Sequence, residues 1–175
     1  MENIDIKSVT RDDIDQLQQI SRQTFYETFS VENTEEDMKQ YLEEDLSKDR
    51  LTAEFNNRDA AFYFAMLNGK VIGYLKLNTG ASQTELQDDN GLEIERIYVL
   101  KEFHGKKVGQ LLYEKALQVA RKKNADYVWL GVWENNLRAI SFYKKNGFVA
   151  FDKHIFRLGN DEQTDIMMKL ELKGQ

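Results

Sequence analysis

The segment Glu102–Lys123, "EFHGKKVGQLLYEKALQVARKK", sets Gly105 and Gly109 four residues apart, with Lys106 and Lys107 between them, at the entrance of an amphipathic run. In a chain with no proline and ten glycines, that pair needs a reason. A turn that leaves a strand near Val99 and opens a helix near Gly109 presents unpaired backbone N–H groups at the positive end of the helix dipole. Glycine lets an anion approach that backbone, and the two lysines add positive charge, so the stretch can hold a phosphate. A glycine pair before a helix also serves plain turn chemistry. The spacing fits neither the nucleotide P-loop nor G-x-G-x-x-G, which argues against ATP and NAD.

Just upstream, "LEIERIYVL" reads as a strand. Its alternation sets Glu93, Glu95, Ile97 and Val99 on one face and Leu92, Ile94, Arg96 and Tyr98 on the other. Two carboxylates on one face can move a proton, or can simply line a solvated groove. The chain has no cysteine, which excludes disulfides, thiolate metal sites and a thiol nucleophile, and its two histidines, His104 and His154, form no metal-ligand cluster. The net charge of -6 argues against nucleic acid as the partner. Charge is also uneven. Val31–Asp49 carries eight acids against two lysines, while Lys101–Lys123 is basic, so one region suits a cation and another an anion, unless both are solvated helix faces.

These residues need a scaffold, and its elements are visible in the pattern. With 175 residues and 41% apolar content the chain can build one domain, 1–175, and no linker-like stretch divides it. No apolar run is long enough to cross a bilayer and the N-terminus has no apolar signal core, which points to a cytoplasmic protein with no membrane partner. Ile4 and Ile6 start a strand, and Ile14, Leu17, Ile20, Phe25 and Phe29 follow at helical spacing. Asn33 or Thr34 caps a second helix, and a short third one holds Leu51 and Phe55. "AAFYFAML" and "KVIGYLKLN" flank Asn68-Gly69 as a hairpin. After the polar loop Gly80–Gly91, the order strand, helix, strand ("DYVWLGVW") predicts a right-handed parallel crossover. A helix from Asn136 to about Asn146 ends at Gly147, and strands follow near 148–154 and 164–170. The fold class is α/β with a mixed sheet.

"LEIERIYVLKEFHGKKVGQLLYEKAL" together with "WLGVWENNLRAISFYKKNGF" resembles the GCN5-related N-acetyltransferase (GNAT) superfamily. The family's pyrophosphate motif, Gln or Arg, two residues, Gly, one residue, Gly or Ala, falls on His104, Lys107 and Gly109, so two of its three places differ. A lysine at 107 fits the turn if its φ is helical. Asn136, Ala139, Phe142, Tyr143, Gly147 and Phe148 fall on the family pattern N-x-x-A-x-x-F-Y-x-x-x-G-F. Within the superfamily the chain is most similar to PaiA-type polyamine acetyltransferases, through "TFYETF", "LEIERIYV", "WLGVWENN" and "LGNDEQTDIMM".

The resemblance implies a GNAT fold, with a mostly antiparallel central sheet whose parallel strands splay near Val99 and Val132. Acetyl-CoA would lie in that opening, pairing with the backbone of Ile97, Tyr98 and Val99 and wrapped by His104, Gly105, Lys106, Lys107, Val108, Gly109 and Gln110, with Asn136 and Tyr143 beside it. No metal is implied. Glu93 matches the strand glutamate that takes the amine's proton, with Glu95 as the alternative, and Tyr143 matches the general acid for the departing thiolate. Trp129 and Trp133 pack the core and the cleft wall, and His154 is structural. The implied acceptor is a small-molecule amine, a linear polyamine such as spermidine or spermine. Tyr26, Glu27, Glu36 and Glu93 line its groove, and the acidic run with Glu32, Glu35, Asp37, Glu43 and Glu44 pairs with its remote ammonium groups. Another amine as acceptor, or a regulatory module that senses acetyl-CoA without turnover, are the rival readings. A homodimer is compatible with the sequence, which does not fix the oligomeric state.

Overall fold

The structure, a computed structural model, describes residues 3–173, so the outermost ends of the expected 1–175 domain lie outside the described residues. The described residues form a seven-stranded sheet in the order β1-β2-β3-β4-β5-β7-β6. Its strands are β1 (Ile4–Ser8), β2 (Ala60–Leu67), β3 (Lys70–Asn78), β4 (Gly91–Val99), β5 (Tyr127–Trp133), β6 (Val149–Leu158) and β7 (Asp161–Glu171). Only β4 and β5 pair in parallel. That parallel pair needs a crossover, and α4 (Val108–Lys122) supplies it. The other helices are α1 (Ile14–Phe29), α2 (Glu35–Glu44), α3 (Lys48–Asn56) and α5 (Leu137–Lys145). None of these helices is long and apolar enough to cross a membrane.

Local chemistry accounts for the boundaries. Thr34 and Ser47 accept from the backbone N–H groups of Asp37 and Arg50 and start α2 and α3. Asn68 and Gly69 both take positive φ, 51° and 79°, which is the backbone of a tight hairpin between β2 and β3. The last two strands run longer than the sequence suggests, because each satisfies the other's backbone along a hairpin from Val149 to Glu171.

Two features of β4 shape the site. First, Arg96 pairs with Lys76 while Ile94 pairs with Leu77, so Glu95 is an extra residue, a β-bulge. The expected strict alternation is therefore corrected. Glu93 sits opposite Asn78, and past the bulge it is Arg96 and Tyr98, not Ile97 and Val99, that share its face. Second, β4 pairs with β5 only from Gly91 to Ile94 (Tyr127 to Leu130), after which both strands continue unpaired with each other. The sheet opens there like a V.

Helix α4 covers one face: Leu112 lies against Gly73 of β3, and Gly109 faces Val99. On the other face α3 reaches the sheet through Glu54, which binds both Lys76 and Arg96. The main core fills in around Leu75, Leu92, Leu112 and Val128. A second cluster of Phe25, Phe29, Met38, Leu46, Leu51, Trp133 and Leu158 packs α1, α2 and α3 against the far strands.

Candidate active site

The V between β4 and β5 opens into a cleft of about 970 Å³ on the α4 side. Its backbone wall follows from strand geometry. The N–H of Leu100 donates to Ile72 C=O. With antiparallel alternation, this leaves Ile97 and Val99 with their N–H and C=O groups turned away from β3, toward the open edge. Val99 C=O is engaged by His104 Nε2 at 2.9 Å. Burial lowers the pKa of His104, although the bond to Val99 opposes that, so the ring is neutral at pH 7 and donates from Nε2.

The glycine turn forms the cleft's other wall. Gly105 (φ 82°) and Lys107 (φ 66°) are both left-handed, and Lys107 is the N-cap of α4. The condition set for a lysine at 107, a helical φ, is therefore not met. A left-handed backbone at a residue with a Cβ costs about 1 kcal/mol or more, so the turn holds Lys107 in a strained conformation. No side chain caps α4, whereas Thr34, Ser47 and Asn136 cap α2, α3 and α5. The first N–H of this turn to reach back along the helix is that of Leu111, to Lys107 C=O, so the preceding N–H groups of Val108, Gly109 and Gln110 remain for a ligand. A Cβ on Gly109 would meet nothing nearer than Val99 Cγ2 at 4.0 Å, so that surface is open.

Of the residues expected around a cofactor, Ile97, Tyr98, Val99, His104, Gly105, Lys107, Val108, Gly109, Gln110, Asn136 and Tyr143 line this cleft. Lys106 does not; its ammonium lies over the Phe103 ring, 5.5 Å from the centroid. Lys101, Arg138 and Lys145 line it instead, cations that no glycine signature marks. Glu27, expected in the acceptor groove, also lines this cleft, where its carboxylate accepts the Lys101 N–H at 3.0 Å.

A second, narrower cavity of about 220 Å³ lies on the other side of the V. Its walls are aromatic, with Phe25, Phe29, Tyr41, Tyr98, Trp133 and Phe156 among them, and it holds the carboxylates of Glu85, Glu93, Glu95 and Asp165. Neither Tyr26 nor Glu36 reaches it. The inward stripe of α1 is Leu17, Ile20, Ser21, Thr24, Phe25 and Phe29, which turns Tyr26 out to 50% exposure. Helix α2 buries Met38 and sends Tyr41 to the cavity, leaving Glu35, Glu36, Glu43 and Glu44 on its solvent side. Glu32 and Asp37 are occupied elsewhere, binding Asn135 and the Asn160 N–H. The cavity's negative charge thus comes from strands and the β3–β4 loop, not from the acidic helix.

The two strand glutamates differ in state. Glu93 is 3% exposed; its Oε1 accepts from Thr84 N–H (2.8 Å) and Asn78 Nδ2 (3.0 Å), and its Oε2 meets Thr84 Oγ1 at 2.5 Å. Burial raises its pKa, and these hydrogen bonds work against that. Burial would also raise Glu95, but the adjacent Arg96 and Lys76, at 3.0 and 2.7 Å, hold its carboxyl below the usual range. Glu93 thus ties the Thr84 loop to the sheet, and Glu95 is locked in an ion-pair network with Lys76, Arg96 and Glu54. The base role expected of either meets a carboxylate already occupied.

Tyr143 lies between the two spaces. It is 5% exposed, packs against Phe142 and Phe148, and lines both cavities, as do Ile97, Tyr98, Trp133, Asn136 and Ala139. Among the described residues nothing hydrogen-bonds its hydroxyl, and burial pushes its pKa well above the ordinary phenol value. Asn136 holds the helix that carries it, accepting the Ala139 N–H at 3.2 Å.

Sequence reasoning missed Thr84, Glu85 and Asp165, and read His154 as structural. His154 bonds Glu85 at 2.6 Å, and both line the narrow cavity. Asp165 carried one signal: it shares period-2 parity with buried Met167, an acid on the inner face of β7. Trp133 lines both cavities as the expected cleft wall, while Trp129 is buried and donates Nε1–H to Gln83 at 2.7 Å. Among the described residues no cluster of His, Asp and Glu could hold a metal ion.

Residues 14–148 match the acetyltransferase (GNAT) family. An uncharacterized N-acetyltransferase from the pepI 3' region of Lactobacillus delbrueckii subsp. lactis is 41% identical over 172 residues, covering 98% of this chain and 99% of that protein. A spermidine N(1)-acetyltransferase of Thermoplasma acidophilum is 29% identical over 154 residues, covering 86% and 91%. Among solved structures, PaiA N-acetyltransferase from Thermoplasma acidophilum in complex with coenzyme A superposes with a TM-score of 0.80 at 26% identity, covering 97% of this chain and 99% of that one. Carrying an open V, an uncapped turn before α4 and a tyrosine between two cavities, the chain belongs to the GNAT family of acetyltransferases.

Proposed function

We propose that this chain, acting over residues 1–175 as one catalytic domain, transfers the acetyl group of acetyl-CoA to a primary amine of a linear polyamine such as spermidine or spermine. The transfer is a direct attack within a ternary complex. The observation that carries this reading is the shared wall: the wide cleft and the narrow carboxylate-lined cavity meet at Ile97, Tyr98 and Tyr143. The relative whose name specifies spermidine supports the acceptor class.

Acetyl-CoA in the wide cleft sets its phosphates on the N–H groups of residues 108–110 with Lys101, Lys107, Arg138 and Lys145 around them. Its pantetheine pairs with the open edge of β4 as an added strand, which brings the thioester oxygen to Val99 N–H. A fixed N–H at that point stabilises the oxyanion by about 3 kcal/mol. An alkylammonium of pKa about 10.4 must lose a proton before it attacks, at a cost of about 4–5 kcal/mol at pH 7. Tyr143 then protonates the departing thiolate. Its raised pKa does not forbid this, because the same dry surroundings raise the affinity of the thiolate for a proton.

The narrow cavity selects the acceptor. Aromatic faces attract an alkylammonium, the carboxylates of the lining favour a cation, and a volume of about 220 Å³ admits an unbranched chain rather than a peptide or an aminoglycoside. The test is a panel of amines with acetyl-CoA, following release of free CoA thiol; the protein has no cysteine to interfere. Spermidine and spermine should show higher kcat/KM than monoamines of similar length, and the advantage should shrink at high salt. Equal values for butylamine and spermidine, or acetylation of peptides alone, would remove the polyamine from the account.

A further inference from the structure

Four carboxylates line the narrow cavity, and three have partners: Glu85 with His154, Glu93 with Thr84 and Asn78, Glu95 with Lys76 and Arg96. Asp165 has none. Among the described residues no hydrogen bond or ion pair reaches its carboxylate. On β7 it stands opposite Trp133 of β5 and His154 of β6. Its carboxylate occupies room left by Gly131, where a Cβ would come within 3.3 Å of Asp165 Oδ2. A glycine on β5 thus admits a free acid to the wall of a cavity that Tyr143 also lines.

We propose that Asp165 is the proton acceptor of the reaction, receiving the acceptor's ammonium group as an ion pair and taking a proton from it. The inference rests on the amine-acetylation reading and adds the base that Glu93 and Glu95, held by other partners, do not supply. The N–H bond of the ammonium breaks and its proton goes to Asp165. The neutral nitrogen attacks the thioester carbon, forming the C–N bond. The C–S bond then breaks, and the thiolate takes the proton of Tyr143. The surplus proton on the new amide nitrogen returns to the Tyr143 oxygen, and Asp165 releases its proton to water. Net, one proton is freed per amide formed.

The surroundings suit the task. Burial raises the Asp165 pKa to about 6, with nearby His154 opposing the rise, so the group is ionised at pH 7 yet more basic than an exposed aspartate. The titratable and charged groups that share its cavity are His154 from β6, Glu85 from the β3–β4 loop, Glu93, Glu95, Arg96 and Tyr98 from β4, Tyr74 from β3, Tyr41 from α2 and Tyr143 from α5. Residues Trp129–Trp133 of β5 add none.

The test compares Asp165→Asn and Gly131→Ala with the parent, using spermidine and butylamine as acceptors. For the parent, kcat/KM should rise with pH through a limb near 6 as Asp165 ionises. Asp165→Asn should lose that limb and fall roughly 10²-fold or more at pH 7 with both amines, with unchanged acetyl-CoA affinity by calorimetry. Gly131→Ala, which crowds the carboxylate without removing it, should raise KM and lower kcat for both amines. Retention of the parent's rate and acid limb in Asp165→Asn would overturn the proposal, even if polyamines prove to be the preferred acceptors. Equal rates for butylamine and spermidine, each dependent on Asp165, would instead sink the polyamine reading and leave the base in place. A measurement without turnover covers a variant that fails to fold: in the parent, the carbon-13 resonance of the Asp165 carboxyl should titrate near pH 6 and shift when spermidine is added. A titration at the ordinary aspartate value with no response to spermidine contradicts the proposal.

Discussion

Tyr143 is held by rings on both sides, with Phe142 and Phe148 centroids each 5.4 Å away, so Tyr143→Phe should preserve the packing and delete only the hydroxyl. Turnover should fall roughly 10²-fold or more in steady-state assays, while calorimetric affinity for acetyl-CoA stays the same. A variant as fast as the parent would mean that water protonates the thiolate. Lys107 offers the opposite kind of test. Its left-handed φ is strained for lysine and relaxed for glycine, so Lys107→Gly should raise stability by about 0.5–1 kcal/mol, seen as a Tm higher by a few degrees. A lower Tm would show that lysine's side chain, not its backbone, matters there. Residues of this kind were unequally legible. The resemblance to the GNAT pattern N-x-x-A-x-x-F-Y-x-x-x-G-F singled out Tyr143, whereas on local signals alone it is one more tyrosine on an amphipathic helix. Asp165 stayed hidden, because its significance depends on Gly131 of another strand and on partners that Glu85, Glu93 and Glu95 find at long range.

At the scale of elements, the proposed cofactor site rests on the turn into α4. Gly109→Asp leaves the fold alone, since an added Cβ meets only Val99 Cγ2 at 4.0 Å, yet sets a negative charge where the proposed site receives the phosphates. Affinity for acetyl-CoA should drop at least about tenfold by calorimetry with Tm nearly unchanged. Unchanged affinity would remove this turn from the site. The strands, the crossover and the hairpin at Asn68-Gly69 were readable because each rests on local period or turn chemistry. The bulge at Glu95 was not. It inserts one residue against Lys76 and Leu77 of β3, so only the partner strand defines it, and it turned Arg96 and Tyr98 toward the face the sequence had given to Ile97 and Val99. The acidic helix misled for a related reason. Eight acids in a stretch of nineteen residues look like a cation site, but burying Met38 and half-burying Tyr41 points most of them to solvent.

Across the whole molecule, the partly buried, unpaired carboxylate of Asp165 leaves an imprint on stability. The folded pKa of Asp165, about 6, exceeds the 3.8 of the exposed group. Its favourable contribution is therefore complete below pH 3.8 and is lost as pH rises through about 6, an effect on the order of 2–3 kcal/mol between pH 4 and pH 7. Asp165→Asn should consequently unfold at higher denaturant than the parent at pH 7 and show no such advantage at pH 4. A gain that is the same at both values would contradict the assignment of a raised pKa to this group.

In the proposed reaction two substrates meet across Tyr143, one from each cavity. A conjugate joining spermidine nitrogen to CoA sulfur through a two-carbon acetyl bridge spans both spaces, and its inhibition pattern tests the claim directly. It should compete with acetyl-CoA and also with spermidine, and should bind at least tenfold more tightly than CoA alone, on the order of the gain from linking two sites. A conjugate that competes only with acetyl-CoA, and binds no better than CoA, would show that the narrow cavity does not hold the acceptor.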